Sequence, residues 1–264
     1  MKRTLLCLVI LQIFFLPVLV FAQVAKVIDV QGMVLVRVDT SHDWTPAKIN
    51  MFLDKQSELK TQAKSKCTLA FDEELRNILS IDENSQIKLE EIKPGNIFLR
   101  EGRVFTLIEN LAKSEEFQVR TPTAIAGARG TGWTMQYLNN ASSALCFVDT
   151  VYMQGLDNAG GVTREKDLSS GWGINISAGG SLGELFPLTD ADYLQWNNFM
   201  DYIHELRGDD TEEVYDTGSL EDIKQEQRED YSDMVDEVRR RDTENLQPSG
   251  GSQDDDGGQT DTHR

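Results

Sequence analysis

Between residues 24 and 186 the apolar positions recur in short runs, many of them at every second residue. Cys67, Leu69 and Phe71 alternate with Thr68 and Ala70, and Ile87 and Leu89 alternate with Lys88 and Glu90. Trp133, Met135 and Tyr137 fall on one face of a later run. A period of two is the pattern of a strand that buries one face. Residues 24–30 and 33–38 flank Gln31 and Gly32, which predicts a hairpin. Further strands are predicted over 97–99, 104–107, 117–119, 145–148 and 151–153. The breaks between them carry turn residues, among them Pro94 and Gly95, Gly102, Asn139 and Asn140, and the stretch 157–161. Short strands at close spacing predict an antiparallel sandwich or barrel. Strands and helices do not alternate, so a doubly wound fold is excluded.

The two ends read differently. Lys2 and Arg3 precede an apolar run over residues 5–21, with Val20 and Ala22 at the third-last and last places before the cut. A basic start, an apolar middle and a small-residue end predict a secretory signal peptide over 1–22, cut after Ala22. An uncleaved anchor is the alternative, since the run nearly reaches spanning length; Pro17 and the Val-x-Ala end favour cleavage. The predicted location is therefore periplasmic or secreted, and the β domain is expected over 23–186. Beyond Pro187, Thr189 or Asp190 can cap a helix carrying Leu194, Phe199, Tyr202, Ile203 and Leu206, ending near Gly208. A helical acidic arm is predicted over 187–247 and a disordered tail over 248–264, where Gly, Asp, Ser and Gln replace large apolar residues.

Charge sharpens this division. The chain has 26 basic and 44 acidic residues, a formal net charge of −18. Residues 201–264 hold 21 of the acids and 7 of the bases, so the β body is nearly balanced and the arm carries the acidity. An excess of this sign repels phosphate backbones, and no nucleic-acid partner is expected. Cys67 and Cys146 are the two cysteines outside the leader. In an oxidising compartment they could form a disulfide, or they could be two buried thiols behaving as small hydrophobes; both readings stand.

Chemistry is sparse. His42, His204 and His263 are the three histidines, no His or Cys pair has metal-ligand spacing, and neither metal nor cofactor is expected. Gly179, Gly180, Ser181, Leu182 and Gly183 match G-x-S-x-G, with acids and His204 downstream. That motif needs a strained turn from a buried parallel strand into a helix, and the sequence offers no hydrolase sheet between Ser181 and His204. No catalytic residue is assigned; a secreted serine hydrolase using Ser181 and His204 is the alternative reading. The glycines from Gly127 to Gly132 lack the spacing of a phosphate loop or a dinucleotide fingerprint. Asp254 to Asp256 lack the spaced oxygen ligands of a calcium loop.

One block is distinctive. Residues 117–133 run from an apolar strand through Thr121 and Pro122 and a small-residue stretch to Gly127, Ala128, Arg129, Gly130 and Thr131, with Trp133 two positions on. This resembles the signature of FecR-domain proteins, with Ala128 where Val is usual. Residues 66–71, 81–89 and 95–102 resemble the family's preceding strands, and the resemblance covers roughly 24–180. The resemblance implies a mainly β fold, a jelly-roll-like antiparallel sandwich followed here by the helical arm, in a bacterial cell envelope. It marks Thr121, Pro122, Gly127, Arg129, Gly130, Thr131 and Trp133 as structural or recognition residues. An arginine enclosed by such a loop is expected to donate to local carbonyls, with ligand recognition the alternative. Membrane regulators of this family join the domain to a cytoplasmic sigma-factor-binding segment. Only four residues precede the apolar run here, so direct sigma-factor binding is not expected. The reading is a non-enzymatic envelope binding module, for an envelope protein or a glycan, in signalling or assembly.

Overall fold

A computed structural model describes residues 24–209. The leader, the acidic segment from residue 210 onward and the tail lie outside the described residues. In chain order the strands are β1 (Ala25–Gln31), β2 (Val34–Arg37), β3 (Thr45–Pro46), β4 (Phe52–Leu53), β5 (Glu58–Thr61) and β6 (Lys66–Ala70). They continue as β7 (Asn77–Ile81), β8 (Gln86–Glu91), β9 (Asn96–Ile108), β10 (Phe117–Arg120), β11 (Ala124–Ala128) and β12 (Thr131–Leu138). The last are β13 (Ala141–Val148), β14 (Thr150–Leu156), β15 (Val162–Ser169), β16 (Trp172–Ile176) and β17 (Leu182–Pro187), followed by helix α1 (Asp190–Arg207).

The pairings sort these strands into two layers joined through β9. One sheet, here called A, runs β4-β1-β6-β7-β9-β12-β13-β16-β17. The other, B, runs β3-β2-β5-β8-β9-β10-β11-β14-β15. The first half of β9 pairs in sheet B and the second half in sheet A. The change falls at Gly102, whose φ of +95° is open only to glycine at low cost. The period-two pattern therefore works twice, once for each layer. Val36, Leu59, Ile87, Leu99 and Val119 point inward from B, and Val27, Leu69, Ile81, Val104, Trp133 and Cys146 point inward from A. Together they form one continuous core.

The mainly β fold agrees with the sequence reading, with two local corrections. Residues 24–38 do not form a hairpin: β1 pairs in sheet A and β2 in sheet B, so Gly32 (φ +71°) turns a corner between layers. A short turn signal fixes a reversal but not the partner. The strands predicted over 97–99 and 104–107 are one bent strand, and its pairing with β10 is parallel, against an otherwise antiparallel framework.

Helix α1 covers the outer face of sheet A. Thr189 caps it reciprocally with Asp192, the Thr189 N–H donating to the carboxylate over 2.8 Å, and Gly208 closes it at φ +69°. Its buried face is Tyr193, Trp196, Phe199 and Ile203, whereas Leu194, expected on that face, is 62% exposed. Trp196 stacks on Phe147 at 4.6 Å, and Phe199 packs on Phe105 at 5.4 Å. At the far end Arg207 donates to the Leu75 carbonyl (2.7 Å) and to Glu109 (2.9 Å). The helix thus belongs to the same unit as the β body. Sheet B has no helix over its outer face among the described residues.

Candidate functional site

The distinctive block forms β10, β11 and the start of β12, and most of its residues face inward. Thr121 is fully buried, and its Oγ1 accepts from the Ala124 amide over 2.9 Å. The Ser142 hydroxyl lies 2.7 Å from both Thr121 Oγ1 and Thr123 Oγ1, so three hydroxyls lock the β10–β11 turn to β13. Pro122 sits exposed at the tip of that turn. Gly127 faces the ring of Tyr152 on β14 so closely that any Cβ would overlap it. Thr131 and Trp133 are buried, Trp133 edge-on to Phe117 at 6.3 Å, with Thr131 Oγ1 and Trp133 Nε1 lacking a hydrogen-bond partner among the described residues.

Arg129 is different. It is exposed in the β11–β12 loop, and no hydrogen bond or ion pair engages its guanidinium among the described residues. This corrects the expected enclosure by local carbonyls. The strand ends at Ala128, Gly130 has open space around it, and the loop projects the side chain outward.

Arg129 lines an open groove of about 490 Å³ whose other walls include Glu116, Asp149, Tyr152 and Asp167. Tyr152 is held by Gln118, whose Nε2 donates to its hydroxyl over 2.7 Å. Burial first, and then the neighbouring Glu116 carboxylate, push the Tyr152 phenol well above its ordinary pKa, so it stays a neutral hydroxyl. Three carboxylates and one guanidinium can recognise a partner that presents cationic groups and one anionic group in register. None of these acids was singled out in the sequence. They come from the loop before β10, the β13–β14 turn and β15, and the one local signal is a glycine standing across the sheet from an aromatic.

The remaining candidates do not assemble. Ser181 lies in the β16–β17 turn, beyond the Ile176 end of β16, and His204 lies in the last turns of α1, near Arg207 and its partner Glu109. Three strand spacings and about six residues of strand length separate those places, roughly 20 Å or more. That exceeds the hydrogen-bond reach a nucleophile and base require. Cys67 and Cys146 are both free and buried. They sit on β6 and β13 with three strands between them, roughly 19 Å by strand spacing, where a disulfide needs Cα atoms within about 7 Å. Of the two readings left open, the structure has the buried thiols. No group of three His, Cys, Asp or Glu is placed to hold a metal among the described residues.

The fold and the block define a two-layered β module with a helix on one face and an open face on the other. Residues 57–151 match the family described as FecR protein, from the loop before β5 into β14. The chain carries a FecR domain over those residues. No curated protein matches it. Two crystal structures resemble it, both from Parabacteroides distasonis ATCC 8503 and each given as a "putative anti-sigma factor". The first, at 11% identity and a TM-score of 0.44, aligns over 53% of this chain and 64% of the other. The second, at 12% and 0.38, aligns over 46% and 55%. This chain thus spans less than two thirds of either. No helix among the described residues is long and apolar enough to cross a membrane.

Proposed function

We propose that the chain is exported, loses its leader after Ala22, and serves in the envelope as a non-enzymatic binding module that captures a protein partner in the groove beside Arg129. The observation that carries this reading is the contrast within one block. Thr121, Gly127, Thr131 and Trp133 face the interior, while Arg129 is exposed in the β11–β12 loop beside three carboxylates. A guanidinium left without a partner contributes nothing to folding, and it is suited to recognising a carboxylate through two parallel hydrogen bonds. The arrangement lacks a nucleophile with a base in reach, so binding is the chemistry it supports best.

The test compares wild type, Arg129→Ala and Arg129→Lys in capture from envelope extract, with melting curves alongside. Arg129→Ala is expected to lose the captured species without a change in melting temperature, and Arg129→Lys to restore capture only in part, because a point charge lacks the planar fork. Equal capture by all three proteins refutes the reading, as does a large fall in melting temperature with Arg129→Ala. The N-terminus of native material should be Gln23.

A further inference from the structure

The open face of sheet B carries a second feature, separate from the Arg129 groove. Outward residues on five neighbouring strands place Arg37 on β2, Lys60 on β5, Lys88 on β8, Arg100 on β9 and Arg120 on β10 along one band. Four strand spacings make this band about 19 Å long. Its acids are Glu90, beside Lys88 along β8, Glu101, beside Arg100 on β9 and paired with Gln86, and Glu58. The Glu58 carboxylate is fully buried, accepting from Arg37 Nη2 over 2.7 Å and from Arg100 Nη2 over 3.2 Å. Glu58 therefore holds two guanidiniums in place and leaves their outer donors open. Two aromatic rings lie among the cations. Trp44 has the Arg37 guanidinium at 4.6 Å and the Lys60 ammonium at 4.2 Å from its centroid. Phe98 lies between Arg100 at 5.7 Å and Arg120 at 5.8 Å. The Arg120 Nε is buried and has no hydrogen-bond partner among the described residues.

A cationic band on a chain of net charge −18 runs against the charge of the whole. From this we infer that the outer face of sheet B is a binding site for a linear polysaccharide bearing carboxylates. The guanidiniums and ammoniums meet the carboxylates, and Trp44 and Phe98, with those cations over their rings, hold the charges in register. The choice of occupant follows from what the band lacks. A protein partner needs an apolar centre, and a bilayer needs a side chain to insert. Of the large hydrophobics most exposed on the surface, Met33, Ile49, Phe52 and Leu194 lie off the band, and only Val38 adjoins it, at the end of β2 beside Arg37. A hydrophilic polymer with periodic charge needs neither.

The experiment measures binding of polygalacturonate to the full chain, with dextran, poly-glutamate, phosphatidylglycerol vesicles and oligo(dT) as comparators. Polygalacturonate is expected to bind tightest, more weakly as salt rises. Lys60→Ala/Lys88→Ala/Arg120→Ala should lower its affinity tenfold or more with an unchanged circular dichroism spectrum. Arg37 and Arg100 are left intact because Glu58 depends on them. If the triple variant does not fold, Lys60→Gln and Lys88→Gln singly should each weaken binding severalfold. Arg129→Ala should leave polygalacturonate binding unchanged, which separates this site from the protein-capture groove. The inference is overturned if wild type binds dextran, poly-glutamate, vesicles or oligo(dT) as tightly as polygalacturonate, or if the lysine and arginine variants bind undiminished.

Discussion

Gly132 and Trp196 offer a direct test of why the distinctive block contains two glycines flanking Thr131. Gly132 lies on the outer side of β12, under helix α1. A methyl built there would overlap Cζ2 of Trp196, lie 2.6 Å from Cη2 and lie 3.1 Å from a Val148 methyl. Ordinary contact needs about 3.5–4 Å between carbons, so the indole must move by about 1 Å. It has little room to do so. Trp196 is 5% exposed, stacked on Phe147 at 4° between planes and tilted against Phe199 at 5.2 Å. Overpacking of this kind costs about 1–3 kcal/mol, and about 2–4 °C of melting temperature follows per kcal/mol in a domain of this size. Gly132→Ala is therefore expected to lower the transition by roughly 2–12 °C. Trp196→Ala should cost more, about 3–5 kcal/mol, because it opens a cavity between helix and sheet. In that background Gly132→Ala should cost nothing, giving a coupling of about 1–3 kcal/mol in the double-mutant cycle. Gly130→Ala is the internal control: its nearest neighbour would be the Ile108 carbonyl at 3.9 Å, so the expected change is near zero. Melting curves of the four cycle members and the control decide it. Equal cost of Gly132→Ala with and without Trp196 would refute the packing account.

Other outcomes follow from buried groups. Ser142→Ala removes the hydroxyl shared by Thr121 and Thr123 and should cost about 1–3 kcal/mol in urea unfolding; a loss below about 0.5 kcal/mol would mean the three hydroxyls are not coupled. Burial pushes the thiols of Cys67 and Cys146 up to about 12, from 9.0 when solvated. Thiol reagents should therefore miss both in the native protein and label two in unfolded, unreduced protein, whereas no labelling after unfolding would demonstrate a bridge. The same shifts set a pH dependence. Above pH 9 the unfolded chain releases thiol protons that the native state retains, so their contribution is whole below pH 9 and is lost between pH 9 and about 12. A Cys67→Ala/Cys146→Ala variant should lose stability less steeply over that window, and parallel curves for the two proteins would remove the thiols as the cause.

Much of the fold was legible because burial on one face leaves a period of two in the sequence. β8 alternates in burial, and β6 and β12, though buried on both faces, alternate in sequence and lie where they were expected. β11, with sequence Ala-Ile-Ala-Gly-Ala, reads as a loop of small residues, yet it is a central strand between β10 and β14, its Gly127 leaving room for the hydroxyl end of the Tyr152 ring. β15 reads as polar linker because it is an edge strand with exposed charges. The periodicity of α1 misled for a related reason. Leu194 is the obvious apolar residue near its start, but an outer sheet face with Gly132 at its centre accommodates Trp196 instead, and Leu194 turns to solvent. The candidate groove was least legible. Its arginine stands in a recognisable block and Glu116 directly precedes that block, while Asp149 and Asp167 come from the β13–β14 turn and β15, 20 and 38 residues on, which only sheet pairing brings alongside.

The placement of the block's residues bears on what the family match can say about function. Gly127 makes space for Tyr152, Gly132 makes space for Trp196, Thr121 joins a buried hydroxyl cluster, and Trp133 fills the core beside Phe117. Each is fixed by packing within this fold, so a sequence that matches there is constrained to build the same two layers whatever it binds. Binding must then be set by side chains that packing leaves unconstrained. On this molecule they concentrate on the outer face of sheet B, since α1 covers the face of sheet A. That face is divided in charge. Arg37, Lys60, Lys88, Arg100 and Arg120 occupy the strands from β2 to β10, and Glu116, Asp149, Asp167 and the lone Arg129 surround β11 to β15. A surface so divided presents opposite electrostatic targets a few strand spacings apart on one rigid scaffold. It can hold an anionic polymer and a cationic protein segment at once without either competing for the other's contacts.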